Sequence, residues 1–247
     1  MANVGSKGIV RYEETFATDN IATSGADGIG WIVSSDAGSA FARTVTAGKG
    51  LHLYGTSDTG AADRQEFVSD LAIFTGQEGH SSVEVMLQLG TITDVAFNFG
   101  FNDAVTGANN IIPAKIDSGT ITGQSADGFV GIIFDTEATN DELHCFWRNG
   151  AVDTTTAIAD LRMVGMAPTA AKWLYMKVEM QDRGSGNGVR ATFLAVDHNG
   201  RSVEKVFNTT VDRDCPLCYY LGVECRGTAA KNIYIKCPNW EQAIANM

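Results

Sequence analysis

Five cysteines, four histidines and one tight run of carboxylates are the side chains in this sequence with reactivity to offer. Cys215 and Cys218 form a Cys-x-x-Cys pair, Cys225 and Cys237 follow, and Cys145 stands apart. That spacing suits zinc, but a closed all-cysteine site uses two such knuckles and this chain has one. A thioredoxin-like redox pair needs a βαβ setting that the stretch lacks. The simplest reading is reduced thiols filling small buried gaps, with metal binding and redox chemistry as the alternatives. Asp135, Glu137, Asp141 and Glu142 fall on turn-like sequence, where solvated charges are expected. His52, His80, His144 and His198 are scattered singly. No His-x-x-x-His or His-Glu-x-x-His pair gives a metal its second ligand.

Nucleophile and phosphate motifs are missing as well. Arg183-Gly-Ser-Gly-Asn-Gly188 misses the Gly-x-Ser-x-Gly elbow by its register and reads as a hairpin loop. Ala47-Gly-Lys-Gly50 lacks the P-loop spacing, and no Gly-x-Gly-x-x-Gly joins a strand to a helix. No catalytic residue, cofactor or metal is therefore expected, and the chain is read as a non-enzyme. The net charge of −11 opposes non-specific nucleic-acid binding, which needs basic residues to replace phosphate counterions. No segment approaches the roughly 20 apolar residues of a membrane-crossing helix. The first residues carry no apolar run of signal-peptide length, so a cytosolic, soluble chain with unpaired thiols is the expectation.

The elements that must position any site are strands. Val83, Val85, Leu87 and Leu89 alternate with Ser82, Glu84, Met86 and Gln88; Val95, Phe97, Phe99 and Phe101 alternate with Ala96, Asn98, Gly100 and Asn102. Each run has one apolar face, and the short link at 90–94 suits an antiparallel hairpin. Leu174, Met176, Val178 and Met180 repeat the pattern against Tyr175, Lys177 and Glu179. Turn chemistry suggests further hairpins: 129–134 with 143–148, 189–196 with 202–207 across Asn199-Gly200, and 219–224 with 231–237. Two more strands fall near 50–55 and 66–74. With 27 glycines and 4 prolines, the chain suits many short strands joined by turns. Helix is confined to two turns near 157–164 and a short C-terminal helix over 240–245, capped by Asn239. Residues 103–124 read as a long surface excursion, and nothing divides the chain into two domains.

The order of these features resembles the concanavalin A-like jelly-roll family of lectins, laminin-G modules and glucanases. The residues that carry the likeness are Trp31, the run from Lys172 and Trp173 to Glu179, the Asn199-Gly200 hairpin and a last strand at 232–236. The resemblance implies an all-β fold: a single antiparallel β-sandwich over residues 12–247, preceded by an N-terminal arm at 1–11. The family's glucanases carry Glu-x-Asp-x-x-Glu on one strand, which holds acid and nucleophile roughly 5 Å apart. This chain has no such motif. A sugar platform of Asn98, Asn102, Asp103, Asn109 and Asn110 beside Phe99 and Phe101 competes with the alternation, which turns those rings into the core. Burial of aromatics likewise places Trp173 between the sheets, with Leu174 turned the other way or lying at the strand edge, against the alternation of its own strand.

The Gly/Ala/Thr/Asn texture and acidic charge also look like tailed-bacteriophage virion proteins. That likeness implies a capsid decoration protein, assembled in the host cytoplasm and bound to capsid protein and to copies of itself as a trimer. Repeated weak contacts would add up to avidity in such a shell. Lys7, Ile9, Val10 and Arg11 of the arm are the expected shell or subunit contacts, with a disordered tail as the alternative. A carbohydrate-binding module or tail-fibre adhesin, with a glycan as partner, is the second reading, and a glycan-degrading enzyme is the third.

Overall fold

Alternating sequence becomes alternating burial. Leu174, Met176, Val178 and Met180 are buried, while Tyr175, Lys177 and Glu179 between them lie half-buried on the opposite face. A strand with one dry face requires this pattern. The computed structural model describes residues 2–5, 8–17, 25–26, 30–35, 40–69, 73–103, 112–124 and 126–243. Its strands begin with β1 (Ala2–Gly5), β2 (Ile9–Glu13), β3 (Gly25–Ala26), β4 (Trp31–Ser35), β5 (Ala40–Thr46), β6 (Gly50–Thr56) and β7 (Arg64–Ser69). The middle of the chain adds β8 (His80–Leu89), β9 (Val95–Asn102), β10 (Ala114–Asp117), β11 (Thr120–Gly123), β12 (Gly128–Asp135), β13 (His144–Asn149) and β14 (Val152–Asp153). One helical turn, α1 (Ile158–Leu161), precedes β15 (Trp173–Asp182), β16 (Val189–Val196), β17 (Ser202–Asn208), β18 (Cys218–Cys225) and β19 (Asn232–Ala243). Among the described residues no helix is long and apolar enough to cross a membrane.

Two antiparallel sheets face each other. The nine-stranded sheet runs β1-β2-β19-β8-β15-β16-β17, and β6, with β5 beside it, also pairs with β19. The eight-stranded sheet runs β14-β13-β12-β9-β18-β7-β4-β3. Val83, Val85 and Leu87 from one sheet and Phe97, Phe99 and Phe101 from the other fill the layer between them, all at most 1% exposed. Trp31 joins this core, stacked on Phe67 at 4.3 Å between ring centroids.

Several sequence expectations change here. The links at 90–94 and 226–231 do not make hairpins: β8 and β19 lie in one sheet, β9 and β18 in the other. Both members of each pair have one apolar face, and crossing between sheets lets those faces cover each other. The hairpins of β12 with β13 and β16 with β17 do form, the second across a turn in which Gly200 has φ +82°. The stretch expected as a C-terminal helix instead continues β19 to Ala243, residues 244–247 lying outside those described. A bulge between Lys236 and Asn239, with Cys237 at φ +47°, lets that strand pass Pro238. The arm boundary at residue 11 falls inside β2, which pairs with β19 of its own chain while β1 folds back on β2.

The surface excursion at 103–124 is in part a cover. The β10–β11 hairpin lies on the outer face of the eight-stranded sheet, over Val68, Phe129, Ile133, Phe146 and Tyr220. The Asn98 amide holds it, donating to the Ala114 carbonyl at 3.0 Å and accepting from the Ala114 N–H at 2.6 Å. Asp135 accepts from the Ile116 N–H at 3.0 Å and pairs with Arg226, which also reaches Glu224 at 2.9 Å. Lys115 closes the cluster on Glu224 at 2.8 Å. Asp135 is therefore a buried anchor at 1% exposure, not the solvated turn charge its sequence setting suggested.

Candidate functional site

The outer face of the nine-stranded sheet carries a groove, and strand register explains its floor. Tyr54 on β6 lies opposite Tyr234 on β19, Tyr234 opposite Gln88 on β8, and Gln88 opposite Trp173 on β15. One step along the strands, Lys236, Met86, Tyr175 and Val196 form a second row. Directly opposed residues share a face, so two rows of aromatic, amide and cationic side chains lie side by side. Three turns rise around them: the β5–β6 turn with Lys49, the entry to β15 with Lys172, and the β16–β17 turn with Asp197 and His198. The groove, open to solvent, measures about 760 Å³, a size suited to a small ligand.

Each wall has a physical reason for its shape. Asp197 accepts from the Asn199 N–H at 2.8 Å and the Arg201 N–H at 2.9 Å, which fixes the turn that carries His198. The Lys49 ammonium sits 3.1 Å from the centre of the Tyr234 ring, and the Lys236 ammonium lies 5.0 Å from the Trp173 ring. Such placement is a cation–π contact. Burial pushes the Lys49 pKa below its ordinary value. Gln88 donates from Nε2 to the Ala171 carbonyl at 2.7 Å, which orients the amide, and its buried Oε1 has no hydrogen-bond partner among the described residues. Tyr175 has its pKa raised, first by burial and then by the negative charge and hydrogen bond of Glu84.

Beyond the groove the same face is charged and self-paired. Lys177 reaches Glu179 at 2.6 Å and Glu84 at 3.4 Å, and Arg11 pairs with Glu241. Arg11, read from sequence as a shell contact, thus has a carboxylate partner inside its own chain. Ile9 and Val10 are half-buried in β2, and Lys7 lies outside the described residues.

The other sequence candidates separate. Phe97, Phe99 and Phe101 are fully buried and Asn98 is occupied by Ala114, so among the described residues no sugar platform gathers there; Asn109 and Asn110 lie outside them. Trp173 is not between the sheets: it is half-buried on the groove floor, and the buried residue is Leu174. The alternation of β15 already carried that signal, and the habit of burying aromatics overrode it. Glu142 is tied to Arg162 at 3.1 Å and to the Gly165 N–H. Cys145, Cys218 and Cys225 are buried, Cys215 and Cys237 half-buried, and all five are free thiols. Burial raises the Cys215 pKa to about 11, far from a reactive thiolate. Among the described residues no group of three His, Cys, Asp or Glu is placed to hold a metal ion.

No protein-family model and no curated protein matches the sequence. Solved structures do match. A protein of unknown function from Shewanella oneidensis MR-1 has a TM-score of 0.65 at 12% identity, covering 100% of this chain and 92% of that one. Peanut lectin has a TM-score of 0.59 at 12% identity, covering 97% and 99%. A marine alginate lyase from Aplysia kurodai has a TM-score of 0.53 at 8% identity, covering 81% and 86%. The fold is a concanavalin A-like jelly roll, as the order of sequence features implied.

Proposed function

We propose that this chain is a carbohydrate-binding module and that a saccharide lies in the groove over Trp173 and Tyr175. The observation that carries the reading is Trp173 itself, a large ring held on an open sheet face instead of in the core. A pyranose has an apolar C–H face and a polar rim. An aromatic floor with polar groups in its walls complements both. In this account Trp173 covers the C–H face, and the unpartnered Oε1 of Gln88 accepts a hydroxyl. The floor is built on strands, so little ordering free energy is lost on binding. The lectins among the similar structures support the reading through their fold.

Binding without turnover fits the carboxylates nearby. Glu84 and Glu179 share Lys177. This is the binding-module or adhesin alternative drawn from sequence. Capsid decoration, with its trimer and N-terminal contact, rests on composition.

A glycan array probed with wild type and Trp173→Ala tests the proposal. Saturable binding to at least one glycan class is expected, weakened about tenfold or more by the substitution, while the melting temperature moves little because the ring is only half-buried. Wild type that binds no glycan, or a variant that binds as well as wild type, overturns the reading.

A further inference from the structure

We infer that the glycan taken by this groove is acidic, its carboxylate or sulfate groups seated among Lys49, Lys172 and Lys236; the inference rests on the carbohydrate reading above. Acidic residues outnumber basic ones 29 to 18, so a cation without a carboxylate partner is unexpected in this chain. Several cations elsewhere do find one: Lys115 pairs with Glu224, Lys177 with Glu179, Arg213 with Asp182 and Arg226 with Asp135. Arg183, Arg201 and Lys205 donate to backbone carbonyls instead, and Arg190 and Lys231 form no ion pair among the described residues. At the groove three lysines without a carboxylate come together. Lys49, Lys172 and Lys236 form no ion pair among the described residues; Lys49 and Lys172 line the groove, and Lys236 stands over the ring of Trp173 on its floor.

Among the described residues the one carboxylate lining the groove, Asp197, accepts through Oδ1 from two backbone amides of its own turn. Lys49 and Lys236 are held over the aromatic rings, so their charge stands beside the surface on which a sugar would stack. Burial disfavours the charged form of Lys49, and an anionic ligand would offset that cost. The net charge of −11 does not cancel this local field. At physiological salt the screening length is about 8 Å, so a seated oligosaccharide feels the three lysines more than distant carboxylates.

The test is calorimetric titration of the folded chain with hexagalacturonate, a sulfated carrageenan hexamer, neutral cellohexaose and a thymidine oligonucleotide. At least one acidic sugar is expected to bind about tenfold or more tighter than cellohexaose, and raising salt from about 50 to about 500 mM should narrow that gap. Whichever acidic oligomer binds tighter identifies the anionic group. Combined Lys49→Gln, Lys172→Gln and Lys236→Gln should bring the affinity for the acidic sugar down to that for cellohexaose measured on the same variant; circular dichroism verifies that the variant is folded, and a preference that survives would overturn the inference. Equal affinity for neutral and acidic sugars would overturn the inference and leave carbohydrate binding standing. An oligonucleotide that binds as tightly as the acidic sugars would also overturn it. No binding of any saccharide would overturn both.

Discussion

The two outer faces of this sandwich are built from the same kind of strand and end in opposite states. On the eight-stranded sheet, Asn98 and Asp135 are partnered by the chain itself at both polar atoms, and the β10–β11 hairpin covers them. On the nine-stranded sheet, the groove end keeps a half-exposed tryptophan, an amide oxygen without a partner and three lysines without carboxylates among the described residues. Polar groups that a chain satisfies internally hold its structure together. Polar groups left unsatisfied beside an aromatic floor are what the proposed saccharide would meet.

The comparison can be broken most decisively at Asp135. Asp135→Ala leaves Arg226, only 8% exposed, short of a carboxylate and strips the Ile116 N–H of its acceptor. Removing one partner of a buried pair costs about 3–5 kcal/mol, to be read from urea unfolding. Lys177→Ala, the matching operation on the open face, should cost less than about 1 kcal/mol, because its pairs are solvent-screened. Equal costs would erase the distinction between the faces.

Asn98→Ala comes next. It leaves the N–H and C=O of Ala114 without their partner, at a cost of about 1–3 kcal/mol. Hydrogen exchange should then show β10 and β11 losing protection while β15 and β16 keep theirs. Uniform loss across both sheets would mean that the hairpin is integral to the core and not a cover.

The smallest effect is a pH dependence from His144, whose ring lies with Ile133 on the covered face. Burial lowers its pKa in the folded chain, although the Glu142 carbonyl at 2.9 Å from Nδ1 opposes this. The unfolded chain therefore takes up the proton first as pH falls, so the His144 contribution is complete above about pH 6.5 and is lost below it, towards the folded pKa. Unfolding midpoints should drop over that window, and His144→Gln should flatten the drop. An unchanged slope in the variant would assign the dependence to another group.

Much of the scaffold was legible in the sequence because a period of two is a local property. Leu174, Met176 and Val178 announce both a strand and its dry face, and by the same logic they place Trp173 and Tyr175 on the other side. The rule that aromatics are buried argued the reverse for Trp173, and backbone geometry prevailed. Links were harder, since the stretch between Leu89 and Val95 is long enough either for a hairpin or for a passage between sheets. The groove was least legible: Lys49, Gln88, Trp173 and Lys236 have no common spacing and meet only through strand register. The role of Asn98 was hidden in the same way, because its partner at Ala114 belongs to a hairpin that folds back over the sheet.

The central claim is that a saccharide occupies the groove of the nine-stranded sheet. The most direct measurement is a nuclear magnetic resonance titration that follows the indole N–H signals of the four tryptophans with the tightest-binding oligosaccharide of the array. Trp31 and Trp147, at 1% and 4% exposure, serve as internal controls on the protein interior. The account predicts a saturable shift of the Trp173 signal while those of Trp31 and Trp147 stay in place. A Trp173 signal that does not move as binding saturates would contradict it.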